Sequence, residues 1–281
     1  MEQSERYARY REVIKGLRLM DDDFFSEALN GKIAPVEYIL QTILERYDIR
    51  VQRTEAQVEY KSATKRSIKL DIQAVDAEGR VMDIEVQRAD KGASVRRARF
   101  HSSTIDRSLL EKGDEFDALV DTYVIFITEH DKFGAGLPLY HVERTIPELG
   151  HTPFGDGAHI IYVNGMFRDL NHPVGRLMHD MHCTRADDIL NPLLAEEVRY
   201  LKETEGGNTT MCRAVEELAK EFAEEARQEG EAAGRQKGKR EANIETAKNL
   251  LAMGTLSIED IAKGVGLSVD EVKALADKKP A

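Results

Sequence analysis

The chain has 281 residues, 41% of them hydrophobic and 32% charged, with a formal net charge of −11. That length is enough for a main domain with its own core plus an appendage, and the acidic total excludes a protein that coats nucleic acid indiscriminately, leaving a local basic patch as the route to DNA. No run of about 18 apolar residues occurs, so no membrane partner is expected. MEQSERYARYREVIKG lacks a signal-peptide core, and Cys183 and Cys212 form neither a disulfide framework nor a CxxC zinc pair; a reducing cytoplasm is the expectation.

In chain order, MDDDFFSEALN (20–30) reads as a helix start, with Asp21, Asp22 and Asp23 where a helix N-terminus favours negative charge. APVEYILQTILERY (34–47) carries Val36, Ile39, Leu40, Ile43 and Leu44 at helical spacing. IRVQ (49–52) and QVEY (57–60) read as two short strands, followed by strands over 66–75 and 80–87. KGASVRRARFHSSTIDRSLLEKG (91–113) reads as a helix ended by Gly113, and VDTYVIFIT (120–128) as a buried strand. Strands are expected over 137–144 and 159–165, and helices over 173–182 and 187–203. This order predicts an α/β (α+β) domain over 1–205, a mixed sheet flanked by helices.

From EGGNTT (205–210) the composition turns charged and Ala-rich. Gly230, Gly234 and Gly238 recur every four residues, each costing a helix about 1 kcal/mol relative to Ala. Residues 206–255 therefore read as a long, soft helical linker. Residues 256–281 read as a small helix-turn-helix-like module in which Ser257 with Asp260, and Ser268 with Glu271, have capping-box spacing. Val269-Asp270-Glu271 opens its second helix with negative charge, which suits protein contact or capping better than DNA reading. Arg235, Lys237, Lys239 and Arg240 form the more plausible electrostatic contact.

LDIQAVDAEGRVMDIEVQ (70–87) carries the chemistry. Ile68, Leu70, Ile72 and Ala74 alternate with Ser67, Lys69, Asp71 and Gln73; Met82, Ile84 and Val86 alternate with Asp83, Glu85 and Gln87. Both strands bury their even positions, so cross-strand partners have an even sum. A three-residue loop, Ala77-Glu78-Gly79, meets this condition and sets Asp71 directly opposite Glu85. A solvated polar face and a metal site both fit this pattern. Opposed carboxylates repel, and Mg²⁺ held by one or two acids relieves that repulsion. Gln87, on the face of Glu85, offers an amide to a water or a phosphate oxygen but no charge.

Asp71, a turn and then Glu85-Val86-Gln87 resemble the PD-(D/E)XK nuclease signature with Gln in place of the final Lys. The ordered set DDDFF (21–25), 69–87, RRARFHSS (96–103), VDTYVIFITE (120–129) and the Gly-punctuated tail resembles one branch, the Rpn-type recombination-promoting nucleases, also described as transposases. The resemblance implies a restriction-endonuclease-like core with a C-terminal helical appendage and Mg²⁺-dependent DNA endonuclease activity in recombination, mobility or defence. It makes Asp71 and Glu85 the metal-binding acids and puts Gln87 at the Lys position. It also implies an auxiliary acid on the first helix, for which Glu27, Asp22 and Asp23 are candidates.

Arg88, Lys91, Arg96, Arg97 and Arg99 follow the acids and are candidate phosphate contacts, or else an ordinary charged helix face. His172, His179, His182 and Cys183 have partial zinc-ligand spacing without a second ligand pair. Gln87 and the acidic total charge keep open an alternative: a catalytically degenerate DNA-binding protein, or a scaffold forming homo-oligomers through its C-terminal helical region.

Overall fold

The computed structural model describes residues 3–61, 67–88 and 92–277. In chain order the elements are α1 (Gln3–Gly16), α2 (Asp22–Leu29), α3 (Ile33–Leu44), β1 (Val51–Tyr60), β2 (Ile68–Asp76), β3 (Val81–Gln87), α4 (Val95–Leu109), β4 (Thr122–Thr128), β5 (Leu139–Val142), β6 (Thr145–Ile146), β7 (Thr152–Pro153), β8 (Ala158–Asn164), α5 (Pro173–His182), α6 (Pro192–Glu203), α7 (Glu205–Met253), α8 (Ile258–Val265) and α9 (Val269–Asp277). Six strands form one sheet in the order β1-β2-β3-β4-β8-β5, and β6 pairs with β7 as a separate hairpin. The β1–β2, β2–β3 and β5–β8 pairings are antiparallel, while β3–β4 and β4–β8 are parallel. This is the restriction-endonuclease-like mixed sheet flanked by helices that the resemblance implies.

Strand alternation divides the core in two. Ile72, Ala74, Met82, Ile84 and Val86 join Ile125 and Ile127 in a cluster completed by Phe24, Phe25, Ile39, Leu40, Leu177, Met178 and Leu194 from α2, α3, α5 and α6. The opposite face carries Val81, Val124, Phe126 and Tyr162 against Ala98 and Ile105 of α4. The sheet is thus covered on both faces, and its central strands are largely apolar on both, with Asp83 and Glu85 of β3 enclosed beneath α4.

The residues expected as two short strands form the single strand β1. Its register shifts between Val51 and Arg53, and Gln57 sits at φ 56°, opposite Asp71 in the register running from Ala56↔Ile72 to Val58↔Leu70. The helix expected over 91–113 starts later and ends earlier, because Ser94 caps α4 by accepting from the Arg97 amide at 3.2 Å, and Leu110 is already extended. The helix expected over 187–203 begins at Pro192 instead. Asn191 caps it, and a 3-10 turn occupies Ala186–Asp188. Helix α1 and the β6–β7 hairpin have no counterpart among the expected elements. EGGNTT is helical rather than a break, and Met211 and Cys212 behind it are buried in the main core.

The chain divides into compact units Met1–Val215 and Glu216–Ala281. In the second, Ala247, Ile261, Ala262, Val265 and Val272 form a small core. The first pair forms half of a capping box and the second a complete one. Ser257 Oγ accepts from the Asp260 amide at 3.1 Å, and Ser268 Oγ accepts from the Glu271 amide at 3.2 Å while Glu271 accepts from the Ser268 amide at 2.9 Å.

Gly165, just past β8, donates its N–H to Thr128 O at 2.7 Å. A Cβ at this position would meet that oxygen at 2.3 Å and Glu129 Cα at 3.1 Å, and backbone cannot swing aside as a side chain can. Gly165→Ala is expected to destabilise the first unit by about 1–3 kcal/mol, read as a lower urea midpoint. An unchanged midpoint would show that the loop yields.

Candidate active site

The β2–β3 register pairs Ile72↔Ile84, Gln73↔Asp83, Ala74↔Met82 and Val75↔Val81. It is set by the loop 77–79: Gly79 takes φ 79° and donates to Asp76 O at 3.1 Å, while Asp76 Oδ1 accepts from the Glu78 and Arg80 amides at 3.1 and 2.9 Å. Beyond Ile72 and Ile84 the carboxylates themselves join the two strands. The Asp71 N–H donates to Glu85 Oε1 at 3.1 Å, and the Val86 N–H donates to Asp71 Oδ2 at 2.9 Å. On the other side of β2, α2 reaches the same point, with Ser26 Oγ donating to Asp71 O at 3.3 Å and accepting from Gln57 at 2.6 Å.

Strict alternation along β2 does not survive this junction. Ile68 and Leu70 pack on the α4 side, whereas Ile72 and Ala74 pack on the opposite side. Val58 and Ala56 change sides in the same way on β1, which locates the crossing at the Gln57–Asp71 step. Nor do the odd positions of β3 form an open polar face. Asp83 and Glu85 are both 0% exposed, and only Gln87 is half-buried. The cover is α4.

Arg97 and His101, one helical turn apart, point from α4 at β3. Arg97 Nη2 donates to Glu85 Oε2 at 2.8 Å, Nη1 to Gln87 Oε1 at 3.4 Å and to Gly92 O at 3.2 Å, and Nε to His101 Nε2 at 3.2 Å. A guanidinium only donates, so His101 Nε2 accepts, which makes the ring neutral with its proton on Nδ1. Nδ1–H then donates to Asp83 Oδ2 at 3.1 Å, with Glu85 Oε1 at 3.8 Å. Burial pulls the His101 pKa below its ordinary value, in keeping with this tautomer.

The three acids are expensive to ionise. Burial pushes Asp71 well above the carboxylate range, reinforced by the charge of Glu85 and, further off, of Asp22; the Val86 amide and Arg97 oppose it. Asp83 is raised by burial and then by Asp71, and Glu85 is pushed up to about 8 by burial and then by Asp83. Asp83 Oδ1 is buried with no hydrogen-bond partner among the described residues. Three close acids facing a single guanidinium leave negative charge unbalanced, and a divalent cation is the group that would balance it. Asp83, Glu85 and His101 bring two carboxylates and an imidazole nitrogen within 4.8 Å of one another, the one such group among the described residues; His101 would ligate only on giving up its bond to Arg97 or to Asp83. The donor set fits a divalent cation.

Other expected residues are placed as follows. Arg88 pairs with Asp21 at 2.9 Å and with Glu129 at 3.2 Å, in a network that also contains Arg18. Arg96 and Arg99 are exposed on α4 and have no ion-pair partner among the described residues. Lys91 lies outside the described residues. Glu27 is half-buried on α2, and Asp22 on the same helix is one of the charges that raise Asp71. His172 caps α5 by accepting from the Val174 amide at 3.2 Å, and His182 Nδ1 donates to Met178 O at 2.8 Å.

Asp83 and His101 were absent from the expected site set. Asp83 shares the parity of Glu85, and His101 lies four residues beyond Arg97; those two spacings were the available signals.

A six-stranded mixed sheet whose second and third strands carry buried, mutually tied acids under an Arg/His helix is a restriction-endonuclease-like core with a candidate metal centre. The sequence profile of the PD-(D/E)XK nuclease family transposases matches residues 23–167, more than half of the chain and the whole span from α2 to β8, and the chain belongs to that family. No curated protein and no solved structure matches it.

Proposed function

We propose that this protein is a Mg²⁺-dependent DNA endonuclease, with Asp71 and Glu85 as the acids that hold the ion and Asp83 and His101 beside them. The observation that carries this reading is the junction at Asp71 and Glu85, where a half-buried and a fully buried carboxylate replace the strand ladder and are fixed in place by backbone amides. When bound, a divalent cation there supplies Lewis-acid polarisation of the scissile phosphate. The chain's own residues do the rest. The Val86 N–H orients Asp71, and the Asp71 N–H orients Glu85. His101 and Arg97 hold Asp83 and Glu85 from the other side, so the acids are preorganised before substrate arrives.

Arg97 has a second role in this reading. It reaches both Glu85 and Gln87, so it supplies the positive charge that a Lys supplies in the commoner signature. The Gln87 carbonyl orients the guanidinium by accepting from it.

The same contact favours one alternative. A guanidinium already neutralising Glu85, together with Gln at the Lys position, is what a degenerate nuclease core acting as a DNA-binding scaffold would carry. Plasmid nicking separates the two. The endonuclease reading expects supercoiled DNA to be nicked or linearised with Mg²⁺ and left intact with EDTA, and expects Arg97→Ala to lose most of that rate. DNA binding with no cutting under Mg²⁺, Mn²⁺ or Ca²⁺ would establish the scaffold instead.

A further inference from the structure

A cleft of about 580 Å³ opens beside the acidic cluster, between the start of β2 and the first turns of α4. Ile68 and Lys69 form one wall, Arg96 and Phe100 the other, and Arg97 and His101 the inner end. We propose that this cleft receives one unpaired nucleotide of a DNA strand, with its base stacked on Phe100 and its phosphates held by Lys69 and Arg96. The proposal rests on the phosphodiesterase reading above and adds the class of DNA: single-stranded, gapped or flapped rather than fully paired.

Three observations carry it. Phe100 is 39% exposed, a large ring left in solvent on a helix whose packed side is already supplied by Ala98 and Ile105. Lys69 and Arg96 are exposed and have no ion-pair partner among the described residues, in a chain whose net charge is −11 and where Arg88 and Arg97 are both engaged by acids. An apolar ring that lines a cleft together with two cations lacking an ion-pair partner among the described residues matches a ligand that is flat and apolar on one part and anionic on another, which describes a nucleotide. The inner wall settles the direction. Arg97 and His101 contact Glu85 and Asp83, so a nucleotide seated in the cleft brings its phosphate to the acids.

The requirement for an unpaired base follows from geometry. In a duplex both faces of every base are covered by stacked neighbours, and a protein ring reaches a face only when the base leaves the stack. Such stacking tolerates any sequence, since every base has a π-face.

Fluorescence anisotropy of the full chain in EDTA, where no cleavage intervenes, tests this with a labelled oligo-dT, a blunt duplex of the same length and an RNA oligo-U. The single DNA strand is expected to bind at least about ten-fold tighter than the duplex. Phe100→Ala should weaken strand binding by about five-fold or more and leave the duplex unchanged, with Phe100→Trp restoring it. Lys69→Gln and Arg96→Gln should each reduce the salt dependence of strand binding by about one phosphate contact. Equal or tighter duplex binding, an equal loss on both DNAs in Phe100→Ala, or binding of the RNA alone would overturn the proposal. Cleavage of a gapped duplex with Mg²⁺ is scored separately. Phe100-dependent strand binding in a protein that never cuts removes the catalytic reading and keeps the cleft, while cutting without any dependence on Phe100 does the reverse.

Discussion

Asp71→Asn is expected to reduce Mg²⁺-dependent DNA cleavage at least about a hundred-fold, the scale on which removal of one preorganised electrostatic group acts. The substitution is chosen for what it spares. Asn still presents an oxygen to the Val86 N–H, which donates to Asp71 at 2.9 Å, and its own N–H still donates to Glu85 Oε1. The β2–β3 junction therefore stays closed, and what is lost is one negative charge at the metal centre. Circular dichroism and the urea midpoint should show a folded protein, and Mg²⁺ should raise its melting temperature less than that of the wild type. Cleavage at the wild-type rate by Asp71→Asn would remove Asp71 from the site.

The second large effect concerns pH. Without a divalent cation, Glu85 keeps its proton until about pH 8, and Asp71 and Asp83 are raised in the same direction. In the unfolded chain these groups ionise in the ordinary carboxylate range, near pH 4. Across the interval from there to about pH 8 the folded state holds protons that the unfolded state has released, so stability falls as pH rises. His101 works the other way at the acid end. It is buried neutral, so below its ordinary range the unfolded chain gains a proton that the folded chain does not, and stability there rises with pH.

Urea unfolding in EDTA should therefore give a lower midpoint at pH 8.5 than at pH 6.5. Mg²⁺ should reverse the trend, because it binds the deprotonated acids and displaces their protons, so the gain in melting temperature grows with pH. Asp83→Asn removes a fully buried charge whose Oδ1 has no partner among the described residues, while leaving an oxygen for His101. It is expected to raise the urea midpoint of the cation-free protein at pH 8.5 and to flatten the pH dependence. A midpoint that rises steadily from pH 6.5 to 8.5 in EDTA would mean that the acids are not held protonated.

The pairing of Asp71 with Glu85 was legible in the residues themselves. Two alternating segments and a three-residue loop ending in Gly79 admit one parity class, and Asp76 closes that loop through backbone amides only a few residues away. The helices α2 and α3 were legible for the same reason, since the acidic start of the one and the apolar stripe of the other lie within a few turns of chain. The depth of the site was not. Polar alternation on β3 reads as a solvated face, and whether such a face meets water depends on what packs over it. Here that is α4, whose Arg97 contacts Glu85 across twelve positions and whose His101 contacts Asp83 across eighteen.

The change of face at Asp71 was equally beyond a period-two reading, because it needs Gln57 at a left-handed φ on the neighbouring strand. The sequence by itself determined most of the elements, the β2–β3 register and the acids brought opposite each other, all of which are local consequences of spacing. Only the tertiary structure decided how deeply those acids lie, and that Asp83, His101 and Arg97 join them, because desolvation and charge pairing depend on segments that meet only when the chain is folded.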